Sequence, residues 1–167
     1  MIIRIRIRSR ASGATFVHPM DPAPRTAVLA RGFRGSKQVR VFAQGWDSQA
    51  ARFQPASIAA PFDELVRLAK LDLRLEHSVI VFTYEGQPGL SYDDRELLWR
   101  AFGVPVFEQR LGPKNELLAM ECEAHSGLHV VHGFSGARLE SDVCACGNRS
   151  PRLPRGPRVE ELVELLA

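Results

Sequence analysis

Apolar and charged positions alternate from the start of the chain. After Met1 the sequence runs Ile-Ile-Arg-Ile-Arg-Ile-Arg, a period of two that predicts a strand over 2–8 with one buried face. Ala-Ser-Gly-Ala-Thr at 11–15 reads as a small polar loop, and Pro19, Pro22 and Pro24 mark irregular chain after it. Short strands are expected over 27–30 and 38–43, the second alternating as Val-Arg-Val-Phe. From Gly45 to Ala60 no period emerges, so that stretch reads as loop with one helical turn. Pro61 followed by Asp63 and Glu64 has the chemistry of a helix start, and Leu65, Leu68, Ala69 and Leu71 give the helix over 61–71 its apolar face.

Ser-Val-Ile-Val-Phe-Thr-Tyr at 78–84 is continuously apolar, as a central strand covered on both faces is. Ser91 with Asp94 three residues on predicts a capped helix over 91–102, and Gly103 ends it. A strand over 104–108 completes a parallel βαβ-like unit. Segments 117–122 and 128–132 flank Ala-His-Ser-Gly and read as a hairpin, with another strand expected over 137–144. Prolines 151, 154 and 157 hold 150–157 extended, and Leu162, Val163, Leu165 and Leu166 predict a closing helix over 159–167. The expected fold class is α/β with a mixed sheet. We read 1–167 as one domain, with strands and a helix over 1–77, a chemically distinctive segment over 78–152 and a tail over 153–167.

Composition adds little to that frame. Hydrophobic residues at 45% and charged residues at 25% are ordinary globular values. No run approaches a membrane span, the N-terminus does not read as a secretory signal, and the expected placement is cytoplasmic. Net charge is +3, and the cations are almost all arginine. Arg4, Arg6, Arg8 and Arg10 share one face of the first strand, and four more arginines lie among the prolines of 149–158. A solvated basic face accounts for these; an acidic or phosphate-bearing partner is the alternative.

The chemistry concentrates at Cys122–Arg152, which holds all three cysteines and three of the five histidines. Three thiols cannot pair completely, which argues against a disulfide scaffold and for metal ligation. In a hairpin turning at His125-Ser126, Cys122 falls across from His129 on the same face, near enough to share one ion. His125 at the tip and His132 on the opposite face remain alternatives. Cys144-Ala145-Cys146-Gly147 offers two more thiolates from a tight bend. Three thiolates and one imidazole form a closed structural zinc set that leaves no position for a substrate water.

Glu-Cys-Glu-Ala-His-Ser-Gly-Leu-His at 121–129 resembles the E-C-E-A-x-x-G-L-H segment of the phenylacetate–CoA ligase family, adenylate-forming enzymes related to coenzyme F390 synthetase. Cys-Ala-Cys-Gly-Asn-Arg-Ser-Pro-Arg at 144–152 is similar to that family's C-x-C-G-R-x-x-x-R segment. The resemblance implies zinc on Cys122, His129, Cys144 and Cys146, clasping the hairpin, and a fold related to part of an adenylate-forming domain. It extends over 79–88, similar to the strand before the family's G-A-E-P, and over 102–112, similar to the segment before its Y-G-x-[ST]-E. Arg-Ala-Ser-Gly-Ala-Thr at 10–15 resembles its phosphate loop.

The departures bear on function. Phe16 follows Thr15 where the phosphate loop needs glycine and lysine, and Leu111 stands in place of the adenine-stacking tyrosine. Only 14 residues (130–143) separate His129 from Cys144, where the family carries a ribose-binding insert. The hinged C-terminal domain of the family is not expected either. The reading is a small zinc protein, a non-catalytic relative of CoA-ligase adenylation domains that binds a protein partner, another copy of itself or a small ligand, with ATP and Mg2+ not expected to bind. One alternative is an acyl-adenylate-forming enzyme or subunit, with Ser12, Thr15, Glu108 and Glu116 as nucleotide-contact candidates. Another is a nucleic-acid-binding zinc protein, disfavoured because aromatics are not interleaved with the basic runs.

Overall fold

The computed structural model describes residues 13–132 and 138–155. The first strand over 2–8, Ser12, and the closing helix over 159–167 lie outside the described residues. The described elements are β1 (Ala14–Thr15), β2 (Thr26–Val28), β3 (Phe33–Arg34), β4 (Val39–Val41), α1 (Ser48–Phe53), β5 (Ser57–Pro61), α2 (Phe62–Leu68), β6 (Ser78–Tyr84), α3 (Tyr92–Phe102), β7 (Val106–Leu111), β8 (Leu117–Glu121), β9 (Leu128–Val130) and β10 (Arg152–Leu153).

They build a mixed eight-stranded sheet in the order β10-β9-β8-β7-β6-β5-β2-β4. Strands β4, β2, β5, β6 and β7 run parallel, and β8, β9 and β10 follow antiparallel. The α/β class and the parallel β6–α3–β7 unit are as the sequence predicts. Ser91 caps α3 by accepting from Asp94 N, and the Asp94 carboxylate accepts from Ser91 N in return, closing a capping box.

Alternate residues of the parallel strands feed two cores. Ile58, Ala60, Val79, Val81 and Val106 point to one face, where Ala50 of α1, Leu65 and Leu68 of α2, and Leu98 and Phe102 of α3 cover them. Val28, Ala59, Ile80, Phe82 and Phe107 point to the other. The connections through α1, α2 and α3 all lead the same way across the sheet, from the β4 edge toward β7, so a constant crossover hand puts the three helices on one face. The β2-to-β4 step runs the opposite way, and its connection lies on the opposite face. There β3 pairs with β1 in a short parallel ladder, and Phe33 stacks on Phe82 with centroids 5.1 Å apart.

Five expectations are corrected. The stretch before α2 is not only loop with a turn: it holds α1 and then β5, whose Ser-Ile-Ala-Ala is fully buried between β2 and β6 and therefore shows no alternation. Strand β7 runs on to Leu111, and Thr15, read as loop, belongs to β1. Of 138–144, only Glu140 pairs, bridging Arg152. The hairpin closes at Glu121–Leu128 around a six-residue loop, so Met120, not Cys122, faces His129. That shift is two residues, and a shift of two keeps every side chain on its face. Among the described residues no helix is long and apolar enough to cross a membrane.

Candidate metal centre

Cys122 follows the last residue of β8, and His129 is the middle residue of β9. The chain turns between them with His125 (φ 48°) and Gly127 (φ 104°) in left-handed conformations. A Cβ on Gly127 would fall 2.6 Å from Leu153 O, so glycine is required where the hairpin loop meets β10. The second half-site is a bend in which Gly147 N donates to Cys144 O at 2.8 Å and Cys144 N to Asn148 O at 3.2 Å. Gly147 (φ 84°) lets that bend reverse, so the sulfurs of Cys144 and Cys146 face the hairpin.

These two pieces bring the ligand atoms of Cys122, His129, Cys144 and Cys146 within 4.8 Å of one another, and all three thiols are free. Cys122 Sγ lies 3.7 Å from Cys144 Sγ, and Cys146 Sγ lies 3.4 Å from His129 Nε2. A tetrahedron built on Zn–S and Zn–N bonds of normal length has S···S edges of about 3.8 Å and S···N edges of about 3.6 Å. The donor set and its spacing therefore fit a tetrahedral ion with an affinity for sulfur. The other two histidines are engaged elsewhere or stand apart. His125 stacks on Phe107 at 4.7 Å with its Nδ1 3.4 Å from Glu121 Oε1, and His132 is exposed outside the group.

The surroundings orient this set. Ser150 Oγ is 3.1 Å from His129 Nδ1, which fixes the ring with Nε2 toward the thiols. Burial, with the adjacent Cys146 and Cys144 thiols adding to it against a hydrogen bond from the Ala124 backbone, pushes the Cys122 thiol up to about 12. Cys144 moves down to about 5, because the Ser126 hydroxyl and the Cys146 backbone N–H stabilise its thiolate. The glutamates flanking Cys122 in sequence are not what raises it. The buried Glu121 carboxylate points away, accepting from Glu108 N at 2.8 Å and from Arg95 at 2.8 Å. Three crowded thiols resist shared deprotonation unless a cation offsets their charge, which is the condition a metal ion meets.

A strap over 144–155 is tied down beside the cluster. β10 pairs with β9, aligning Arg152 with His129. Arg152, 6% exposed, donates to Ser126 O at 2.6 Å and to Ser126 Oγ at 2.8 Å. Arg155 donates to Glu121 Oε1 at 2.8 Å. Burial alone would raise the Glu121 carboxyl; hydrogen bonding from His125 and the charges and hydrogen bonds of Arg95 and Arg155 outweigh it and bring it down to about 2. Sequence reasoning missed Ser126, Ser150 and Glu121. The cue for the first two was their position, each within four residues of a ligand.

The nucleotide-contact candidates do not share this arrangement. Thr15 Oγ1 accepts from Arg34 at 2.9 Å. Glu108, 2% exposed, is bound by Thr83 Oγ1 at 2.7 Å, Leu90 N at 3.2 Å and Arg95 at 3.1 Å. Glu116 accepts from Lys114 N at 2.8 Å. Leu111 is 1% exposed within the second core, so it presents no surface on which a base could stack.

No family model matches the chain, and no curated protein matches it by sequence. Comparison of folds does find similar structures, adenylate-forming ligases among them. Three are structures of 2-hydroxyisobutyryl-CoA ligase. The open conformation with 2-HIB-AMP and CoA matches at TM-score 0.57 and 14% identity over 81% of this chain. The thioesterification state with the same ligands matches at TM-score 0.57 and 14% identity over 84%. The postadenylation state with R3-HIB-AMP matches at 0.53 and 15% over 74%. The chain spans 44%, 44% and 39% of those proteins, respectively. The likeness is one of fold: a distant adenylate-forming architecture carrying a cysteine–histidine cluster that could hold a metal.

Proposed function

We propose that the chain is a zinc protein related to the phenylacetate–CoA ligase branch of the adenylate-forming enzymes, and that it binds a partner or small ligand without forming an acyl-adenylate. The observation that carries this reading is the match of the 3.7 Å S···S and 3.4 Å S···N edges to a closed zinc tetrahedron. Cys122, His129, Cys144 and Cys146 would hold the ion. When bound it supplies a cross-link between the hairpin and the strap, and four protein ligands leave it no open position for chemistry. Burial and hydrogen bonding of Glu108, and burial of Leu111, support a non-catalytic role. The test is pyrophosphate release from ATP and Mg2+ across a panel of carboxylic acids. We expect no acid-dependent release; acid-dependent release would overturn the reading.

One observation favours the enzymatic alternative. A cavity of about 610 Å³, lined by Phe62, Phe82, Tyr84, Pro88 and Leu90, opens at the carboxyl ends of β5 and β6. Open α/β sheets receive ligands outside the carboxyl ends of their strands. Calorimetric titration with ATP and Mg2+ separates the readings: saturable binding supports the alternative, and its absence removes it.

A further inference from the structure

We propose that the exposed groove between α2 and α3 is the contact surface of a homodimer in which two copies of α3 cross antiparallel. The groove encloses about 610 Å³ on the helical face of the sheet. Val66, Ala69 and Leu97 form its apolar part, and Asp93, Glu96 and Arg100 line it beside them. Leu97, mid-helix between Asp93 and Arg100 on the groove side, is 43% exposed.

The order of charges along α3 selects the occupant. Asp93, Leu97 and Arg100 are spaced i, i+4 and i+7, so they share one stripe, with the carboxylate and the guanidinium about 10 Å apart along the axis. A two-fold axis close to Leu97 places Asp93 of each copy opposite Arg100 of the other, twice, and brings the two leucines together. A parallel arrangement in register sets Asp93 against Asp93 and Arg100 against Arg100, which is repulsive. The stripe is therefore complementary to itself in one orientation only. Asp93 has no cationic partner among the ion pairs of the described residues, whereas Arg100 is paired within its own helix to Glu96 at 2.5 Å. The apolar part is small, so the dimer is a weak one whose specificity comes from its charges. The inference is independent of the metal.

The test is sedimentation equilibrium on the full chain from micromolar to millimolar concentration. The native protein is expected to approach dimer mass as concentration rises. Asp93→Arg and Arg100→Asp, both at exposed positions, should each weaken association at least tenfold with an unchanged far-ultraviolet circular dichroism spectrum. An equimolar mixture of the two variants should dimerise again. The arginine introduced in one variant then meets the aspartate introduced in the other, and the remaining native Arg100 meets the remaining native Asp93. Leu97→Glu should stay monomeric and folded. A native protein that remains monomeric throughout, single variants that associate normally, or a mixture that fails to recover each overturns the proposal; a monomeric result would leave the face to a different protein.

Discussion

Ser150 Oγ sits 3.1 Å from His129 Nδ1, on the side of the ring opposite the Nε2 that faces the thiols. Partners of this kind set the tautomer and direction of a ligating imidazole, and losing them weakens metal affinity by roughly 10–100-fold. Ser150→Ala should therefore lower zinc affinity by about tenfold in competition with a chromophoric chelator, while Ser150→Thr retains it. Equal affinities for the Ala variant and the native protein would mean that the contact does not orient the ring.

Removing the ion should loosen the strap before the sheet. The parallel strands are buried on both faces by the two cores, whereas 144–155 is held by one short ladder, the Glu140 bridge, two arginines and the cluster. Limited proteolysis after chelation should cut first within 144–155 and leave 26–121 intact, and zinc should restore protection. Simultaneous cleavage throughout the chain would show that the metal holds the whole fold.

Arg95 joins two buried carboxylates, reaching Glu108 at 3.1 Å and Glu121 at 2.8 Å. Arg95→Met should cost about 3–5 kcal/mol in urea denaturation, because it strands buried charge next to an apolar side chain. A loss below about 1 kcal/mol would mean that Arg110, 3.5 Å from Glu108, and Arg155, 2.8 Å from Glu121, suffice.

His18 accepts from Met20 N at Nδ1 (3.0 Å) and meets Ser78 Oγ at Nε2 (3.3 Å). Burial, with the nearby His77 adding to it against the Met20 carbonyl 3.2 Å from Nδ1, lowers it from 6.5 to about 4. A histidine whose folded pKa is depressed takes up a proton more readily when unfolded. Its contribution is then present above pH 6.5 and is lost as pH falls from there toward 4. Thermal melts should show the native protein losing stability across that window and His18→Gln losing less; identical pH profiles would contradict the assignment.

Much of this was legible in the residues. Ser91 and Asp94 predicted the capped start of α3, the apolar run at 78–84 its central strand, and the spacing of cysteines and histidines the cluster. What stayed hidden were features that leave no local mark. β5 is short and buried on both faces, so it lacks a period. The hairpin register depends on a six-residue loop with His125 and Gly127 left-handed, Gly127 packed closely against Leu153 of β10. The partners of Glu121 come from α3, the hairpin loop and the strap, which no sequence window contains.

The most direct measurement is the metal content of protein purified without added metal, by elemental analysis and native mass spectrometry, beside Cys146→Ala and His129→Ala. One zinc per native chain is expected, with its loss from both variants. Substoichiometric metal in the native protein after zinc is supplied, or zinc retained unchanged by both variants, would contradict it.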